Sequence, residues 1–233
     1  TVVVVVVFRF NSRPAAFCPE DQPMNRRVLV IGAAAAAAVV FAGGGYFYTQ
    51  ASRQAAPTAT VVSDTTGLER FHSPVMGEMN APVTIVEFLD PSCEACRAFY
   101  PFVKQIMDRD PGKVRLVIRY TPFHQGSDEA VRILEAARKQ NLFQPVLEAL
   151  FAGQPSWASD GNPNLQQAWM IAASAGLDIP KARRDAAGDE ITAVLEQDMA
   201  DVQRFNVSKT PTFFVNGQEL VDFGSQQLAD AVS

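Results

Sequence analysis

Hydrophobic and polar positions divide the chain into stretches of distinct character. Residues 28–48 carry no charge over 21 positions, enough helix to cross a hydrocarbon core of about 30 Å. Residues 50–75 are rich in Ala, Thr, Ser and Pro and poor in large apolar groups, the composition of a flexible linker. Asn80-Ala81-Pro82 then leads into the near-continuous apolar run Val83–Leu89. This predicts a buried strand, with Pro82 at a position that needs no ladder donor. Phe99, Phe102, Val103, Ile106 and Met107 fall at helical spacing and predict a helix with one buried face. Asp110-Pro111-Gly112-Lys113 turns the chain into a second strand, Val114–Tyr120. A strand–helix–strand unit of this length predicts two parallel strands.

Beyond Ser127 the period changes. Asp128–Lys139 and Leu142–Ala152 predict one broken helical pair, and Asn164–Ala175 a further helix. Ile191, Val194, Leu195, Met199 and Val202 mark a last one. Gly153–Pro163, with its Pro, Ser, Asn and Gly, reads as a surface loop. Thr212–Val215 and Gln218–Val221, joined by Asn216-Gly217, form a two-residue hairpin signal, and residues 226–232 add a short final helix. The fold class is therefore α/β, a covered sheet interrupted by a helical insertion at about residues 124–206.

Composition adds compartment more than fold. With 233 residues, 48% of them hydrophobic, and net charge −5, there is material for one core-bearing domain, residues 76–233, plus an N-terminal extension. No basic patch points to nucleic acid. Arg26 and Arg27 before the uncharged stretch predict that its amino end stays in the cytoplasm and the rest is exported. Met24 reads as a start, which makes 1–23, with Val2–Val7 and Cys18, a non-native or mis-started leader without inferred function. Residues 24–49 are then a signal or membrane anchor. Small residues at 42–44 and 49–51 allow cleavage to a soluble periplasmic protein, while the apolar length suits an uncleaved anchor in the inner membrane.

The chemistry concentrates at Asp90-Pro91-Ser92-Cys93-Glu94-Ala95-Cys96-Arg97, where the first strand meets the helix. The first turn of a helix presents unpaired N–H groups and the positive end of its dipole, both of which favour a thiolate. Ser92 is the N-cap candidate, Cys93 the nucleophile, and Cys96, one turn in, the resolving thiol. The pair could instead be half of a zinc site or inert core thiols. The only further cysteine is Cys18 and the only histidines are His72 and His124, so no second half presents itself and no metal is assigned. With no structural cysteines in the exported region, the usage is that of a disulfide-exchanging catalyst.

Three further positions bear on this chemistry. Glu87 lies on the apolar strand six residues before Cys93. It faces an open edge, or it is buried with a raised pKa that suits a general base. Thr210-Pro211 precedes the hairpin, where the proline either starts the strand or marks a tight turn beside an exposed edge. His124 follows the second strand and either assists a thiolate or is satisfied locally; His72 is assigned no role.

Glu87, the Cys93–Cys96 motif, Pro101 in the following helix and Thr210-Pro211 together resemble the thioredoxin superfamily, in its DsbA-like branch, over about residues 76–233. The resemblance implies a thioredoxin fold, a helical insertion between the second strand and a cis-proline loop, and no cofactor beyond the dithiol. It implies that Thr210 and Pro211 dock substrate and that Glu87 helps deprotonate Cys96. It further implies an extracytoplasmic thiol:disulfide oxidoreductase, with cysteine-containing client proteins and a quinone-linked membrane reoxidant or a membrane reductant as partners. Two departures bear on direction. Glu94-Ala95 stands where the best-known oxidant has a proline and a histidine, so a weaker acidification of Cys93 is expected, partly offset by Arg97. Thr210 stands where oxidants often carry valine, as in isomerase-like relatives. A disulfide donor is the first reading, a reductase or isomerase the second, and a binding module that holds clients or copper(I) without turnover the third.

Overall fold

The computed structural model describes residues 65–158 and 162–233. The leader 1–23, the anchor 24–49 and linker residues 50–64 lie outside them. Among the described residues no helix is long and apolar enough to cross a membrane, and the expected span 28–48 is not among them.

The centre is a mixed sheet built from β1 Val75–Met76, β2 Val83–Leu89, β3 Val114–Tyr120, β4 Thr212–Val215 and β5 Gln218–Glu219. Its order is β1-β3-β2-β4-β5. β2 and β3 run parallel, from Val83 beside Val114 to Leu89 beside Tyr120, and β4 is antiparallel on the other side of β2. Helix α1, Glu94–Arg109, makes the crossover between β2 and β3. The central strands read as apolar runs because both of their faces are covered. Ile85, Leu89, Leu116, Ile118 and Tyr120 join the larger core with Cys96, Val103 and Ile106 of α1. The alternate residues Val86, Phe88 and Val117 join a second core with Leu68, Val202, Phe205 and Phe214.

Between β3 and β4 the described residues form five helices: α2 Ser127–Arg138, α3 Phe143–Trp157, α4 Leu165–Ser174, α5 Ile179–Ala186 and α6 Asp189–Arg204. A final helix, α7 Ser225–Val232, follows the hairpin. At the hairpin turn Asn216 and Gly217 take φ of 49° and 84°, the left-handed pair that a two-residue turn between twisted strands requires.

Four local expectations are corrected. Helix α3 continues to Trp157 rather than yielding to a loop at Gly153, because Gln154 and Trp157 are buried and the Trp157 indole donates to the Leu150 carbonyl (2.8 Å). Helix α5 escaped the periodicity because it is short; its signal was the Asp178 cap, which accepts from Lys181 N (3.0 Å), with Pro180 in the first turn. Phe102 does not join the buried face of α1 and is 44% exposed. The fourth correction concerns the linker. Residues 65–75 are folded onto the domain: Leu68 and His72 are buried, and Val75–Met76 pair with β3. They are held by polar anchors, chiefly Arg119, which donates to the carbonyls of Leu68 (2.8 Å) and Gly67, and such anchors leave no hydrophobic signature.

Candidate functional site

The site forms where β2 ends. Chain direction reverses through Asp90–Ser92 into α1, and Cys93 itself, extended at φ −72° and ψ 121°, occupies the N-cap. Ser92, expected in that role, instead places its hydroxyl 2.7 Å from that of Ser127. The cap position sets the Cys93 sulfur before the amides of the first turn. Its thiol is lowered to about 5, first by the hydrogen bond from the Cys96 thiol, against the cost of burial, and then by the Thr210 side chain and the amides of Cys96 and Ala95. Cys96, fully buried, is pushed the other way, well above 9.0, first by burial, then by its hydrogen bond to Cys93 and the charges of Glu87 and Cys93. Both are free thiols.

The loop that leads into β4 flanks the site from the other side. Pairing of Phe88 with Thr212 lays the start of β4 against the end of β2. It thereby brings up Thr210, whose carbonyl accepts from the Cys93 thiol at 3.3 Å. The Thr210–Pro211 peptide bond is cis and Pro211 is buried.

Glu87 lies in the sheet between Ile118 and Phe213. It is fully buried, and neither carboxylate oxygen has a hydrogen-bond partner. Burial first, and the Cys93 charge second, push its carboxyl up to about 8. Of the two settings open to this residue in the sequence, the edge is excluded. The Glu87 charge in turn helps push the Cys96 thiol up.

A family described as Thioredoxin matches residues 70–232. The chain belongs to the thioredoxin family. Among solved structures it is similar to a thioredoxin-like oxidoreductase from Silicibacter pomeroyi DSS-3, with a TM-score of 0.64, 34% identity, and coverage of 73% of this chain and 96% of that one. It is similar also to oxidised BdbD from Bacillus subtilis, with a TM-score of 0.61, 25% identity, and coverage of 69% and 91%. Among curated relatives, a Na(+)/H(+) antiporter NhaA from Herminiimonas arsenicoxydans is 29% identical over 148 residues, which is 63% of this chain and 22% of the antiporter. The chain spans about a fifth of the length of the antiporters it matches. These likenesses are consistent with a DsbA-like branch of the thioredoxin superfamily.

The remaining expected site residues of this thioredoxin-family domain fall as follows. Glu94 is exposed in the first turn of α1. Arg97 is half-buried, with its Nε buried and without a hydrogen-bond partner. His124 presents Nδ1 to Asp90 Oδ2 at 2.6 Å. Among the described residues no group of three or more His, Cys, Asp or Glu is placed to hold a metal ion.

Three residues around the thiols escaped the sequence reading. Asp90 is fully buried and its carboxylate gathers donors from three segments; Asp-Pro-Ser before a helix was its local signal. Ser127, at the start of α2, reaches both Asp90 and Ser92. Gln154 of α3 donates to the carbonyls of Pro91 (2.9 Å) and Cys93 (3.0 Å). Nothing local announces Gln154, since its partners lie some 60 residues away.

Proposed function

We propose that this protein is an extracytoplasmic thiol:disulfide oxidoreductase that donates a Cys93–Cys96 disulfide to client proteins. The reading rests on one observation, the opposed acidities of the two thiols at the start of α1: Cys93 at about 5 and Cys96 well above 9.0. A thiolate stabilised in the reduced state makes the disulfide the more oxidising partner. At about 5, Cys93 sits between the values of about 7 for thioredoxin and about 3.5 for DsbA.

A client thiolate attacks the Cys93 sulfur, the Cys93–Cys96 bond breaks, and Cys96 leaves with the electron pair. Glu87, protonated at neutral pH with its carboxyl at about 8, supplies the proton that Cys96 takes up. A second client thiolate then attacks the client sulfur of the mixed disulfide and expels Cys93 as a stable thiolate. The client loses two electrons and the enzyme dithiol holds them, with no other cofactor. Thr210 and Pro211, beside Cys93, hold the client backbone during these steps. Residues 28–48 anchor the domain on the periplasmic side of a bacterial inner membrane, residues 50–64 serve as its linker, and a quinone-linked membrane partner reoxidises the dithiol.

Thr210 before the proline favours the alternative of a reductase or isomerase kept reduced by a membrane donor. The equilibrium of the purified protein with glutathione decides between them. A potential near or above about −180 mV supports a disulfide donor, and one near about −270 mV establishes a reductase and overturns the donor reading.

A further inference from the structure

The turn that carries Cys93 is held mainly from outside itself. Asp90, fully buried, accepts at Oδ1 from the Ser92 amide (2.8 Å) and the Ser127 hydroxyl (2.5 Å). At Oδ2 it accepts from the amides of Phe123 (2.8 Å) and His124 (3.0 Å) and faces His124 Nδ1 at 2.6 Å. Its main chain reaches both cysteines: the Asp90 carbonyl accepts from the Cys93 amide (3.1 Å), and its N–H bonds to the Cys96 sulfur. On the other flank of the turn Gln154 donates to Pro91 and Cys93. The Cys93 carbonyl also accepts from the Arg97 amide (3.1 Å) as the first carbonyl of the helix. A buried carboxylate with this many donors holds its surroundings in one arrangement, because each donor loses a buried partner if the group moves. Ser127 and Gln154 belong to α2 and α3, and Phe123 and His124 to the loop that enters α2. The grip on the nucleophile's turn therefore comes from the helical insertion.

We propose that Asp90 and Gln154 are positioning residues through which the helical insertion holds Cys93 at the mouth of α1 and so sets the reactivity of the redox pair. The inference rests on the reading of Cys93 as the nucleophile. An acidic thiolate requires the first-turn amides to point at its sulfur. A turn released from Asp90 or Gln154 lets the sulfur leave those amides. Asp90→Asn turns one acceptor into a donor and sets it against at least two of its present donors. Gln154→Leu keeps the bulk and removes both bonds to the turn.

The effect of position is opposite in sign to that of charge. Removing the Asp90 charge alone would stabilise a nearby anion and make Cys93 more acidic. Loss of position makes it less acidic.

The test titrates the Cys93 thiolate by its ultraviolet absorbance and its alkylation rate in the full chain. It also measures the equilibrium in which two glutathione thiols reduce the Cys93–Cys96 disulfide to the dithiol and form one glutathione disulfide. In Asp90→Asn the thiolate population at a given acidic pH falls about tenfold. The glutathione equilibrium moves about tenfold toward the protein disulfide, which is about 30 mV for a two-electron couple. Gln154→Leu moves both readouts in the same direction by about threefold, and Ser127→Ala by about twofold. These variants keep the test alive where Asp90→Asn fails to fold. A change in thermal stability with the titration and the equilibrium both within 1.5-fold of the parent in all folded variants overturns the proposal, as does a more acidic Cys93 in Asp90→Asn. A parent protein whose Cys93 titrates like an ordinary thiol, near 8.5, overturns the proposed function and this inference with it.

Discussion

Two buried carboxylate sites lie on opposite faces of the same pair of strands, and they are built on opposite rules. Glu87 of β2 stands beside Ile118 of β3, whereas Arg119 of β3 stands one step on, beside Phe88 of β2; alternation along a strand sends them to different sides of the sheet. On the thiol side Glu87 has no hydrogen-bond partner and its carboxyl rises to about 8. On the far side Arg119, fully buried, donates to Asp198 (2.7 Å), Asp201 (2.6 Å) and the carbonyls of Gly67 and Leu68. Asp198 also accepts from the Tyr120 amide and meets His72 Nε2 at 2.8 Å, and Arg70 forks onto Asp201. Asp201 is lowered to about 2 against the cost of its burial, through Arg70 and then Arg119. A saturated buried charge is fixed in one state and serves to dock residues 65–75. A buried carboxyl left without partners is free to change state near neutral pH, which is what proton transfer needs.

Breaking the far side gives the largest change in stability. Arg119→Met takes the shared guanidinium from Asp198 and Asp201, leaving Asp201 to Arg70 and Asp198 to His72 and the Tyr120 amide, and costs about 3–5 kcal/mol in urea unfolding. The glutathione equilibrium of the surviving folded protein stays within twofold of the parent; a larger shift would show that the two faces are coupled.

The second prediction separates the faces by pH. Folded Glu87 keeps its proton up to about 8, against 4.5 ordinarily, so the stability it lends is full below about pH 4.5 and is lost as pH rises through 8. Folded Cys93 loses its proton at about 5, against 9.0 ordinarily. Its contribution is full above pH 9 and is lost as pH falls through 5. In the dithiol protein the two trends oppose each other between pH 5 and 8. In the disulfide protein Cys93 no longer titrates, so stability falls across that window with a limiting slope of about 1.4 kcal/mol per pH unit. Urea midpoints of the two redox forms at pH 5, 6.5 and 8 measure the divergence, and parallel curves would contradict it.

Glu87→Leu sharpens the same contrast. It removes the downward trend in the disulfide form, raises stability at pH 8 by about 1–3 kcal/mol through deletion of an unpaired buried polar group, and slows turnover on a dithiol peptide by about 100-fold. The smallest effect belongs to His72→Ala, which deletes one hydrogen bond from a cluster that keeps its arginines. It costs about 1 kcal/mol in the same unfolding assay, without changing the titration of Cys93.

Much of this was legible along the chain. The apolar runs of β2 and β3, the stripe of α1, the Asn216-Gly217 turn and the junction that carries Cys93 and Cys96 all depend on neighbours within a few residues, and the sequence alone determined them. Glu87 and Arg119 look alike at that level, each a charge inside an apolar strand. Only the fold decided that one meets four partners and the other none. Gln154 was illegible for the same reason, since its partners lie some 60 positions away, and Asp90 showed only the local Asp-Pro-Ser signal while its donors at Phe123, His124 and Ser127 lie more than 30 positions on. The folded tether at 65–75 was hidden because polar bonds to Arg119 and Asp201, rather than hydrophobic periodicity, hold it. Local conformation follows from sterics and periodicity that a short segment carries within itself. Acidity, pairing and the placement of a nucleophile follow from burial and distance, which exist only once remote segments have met.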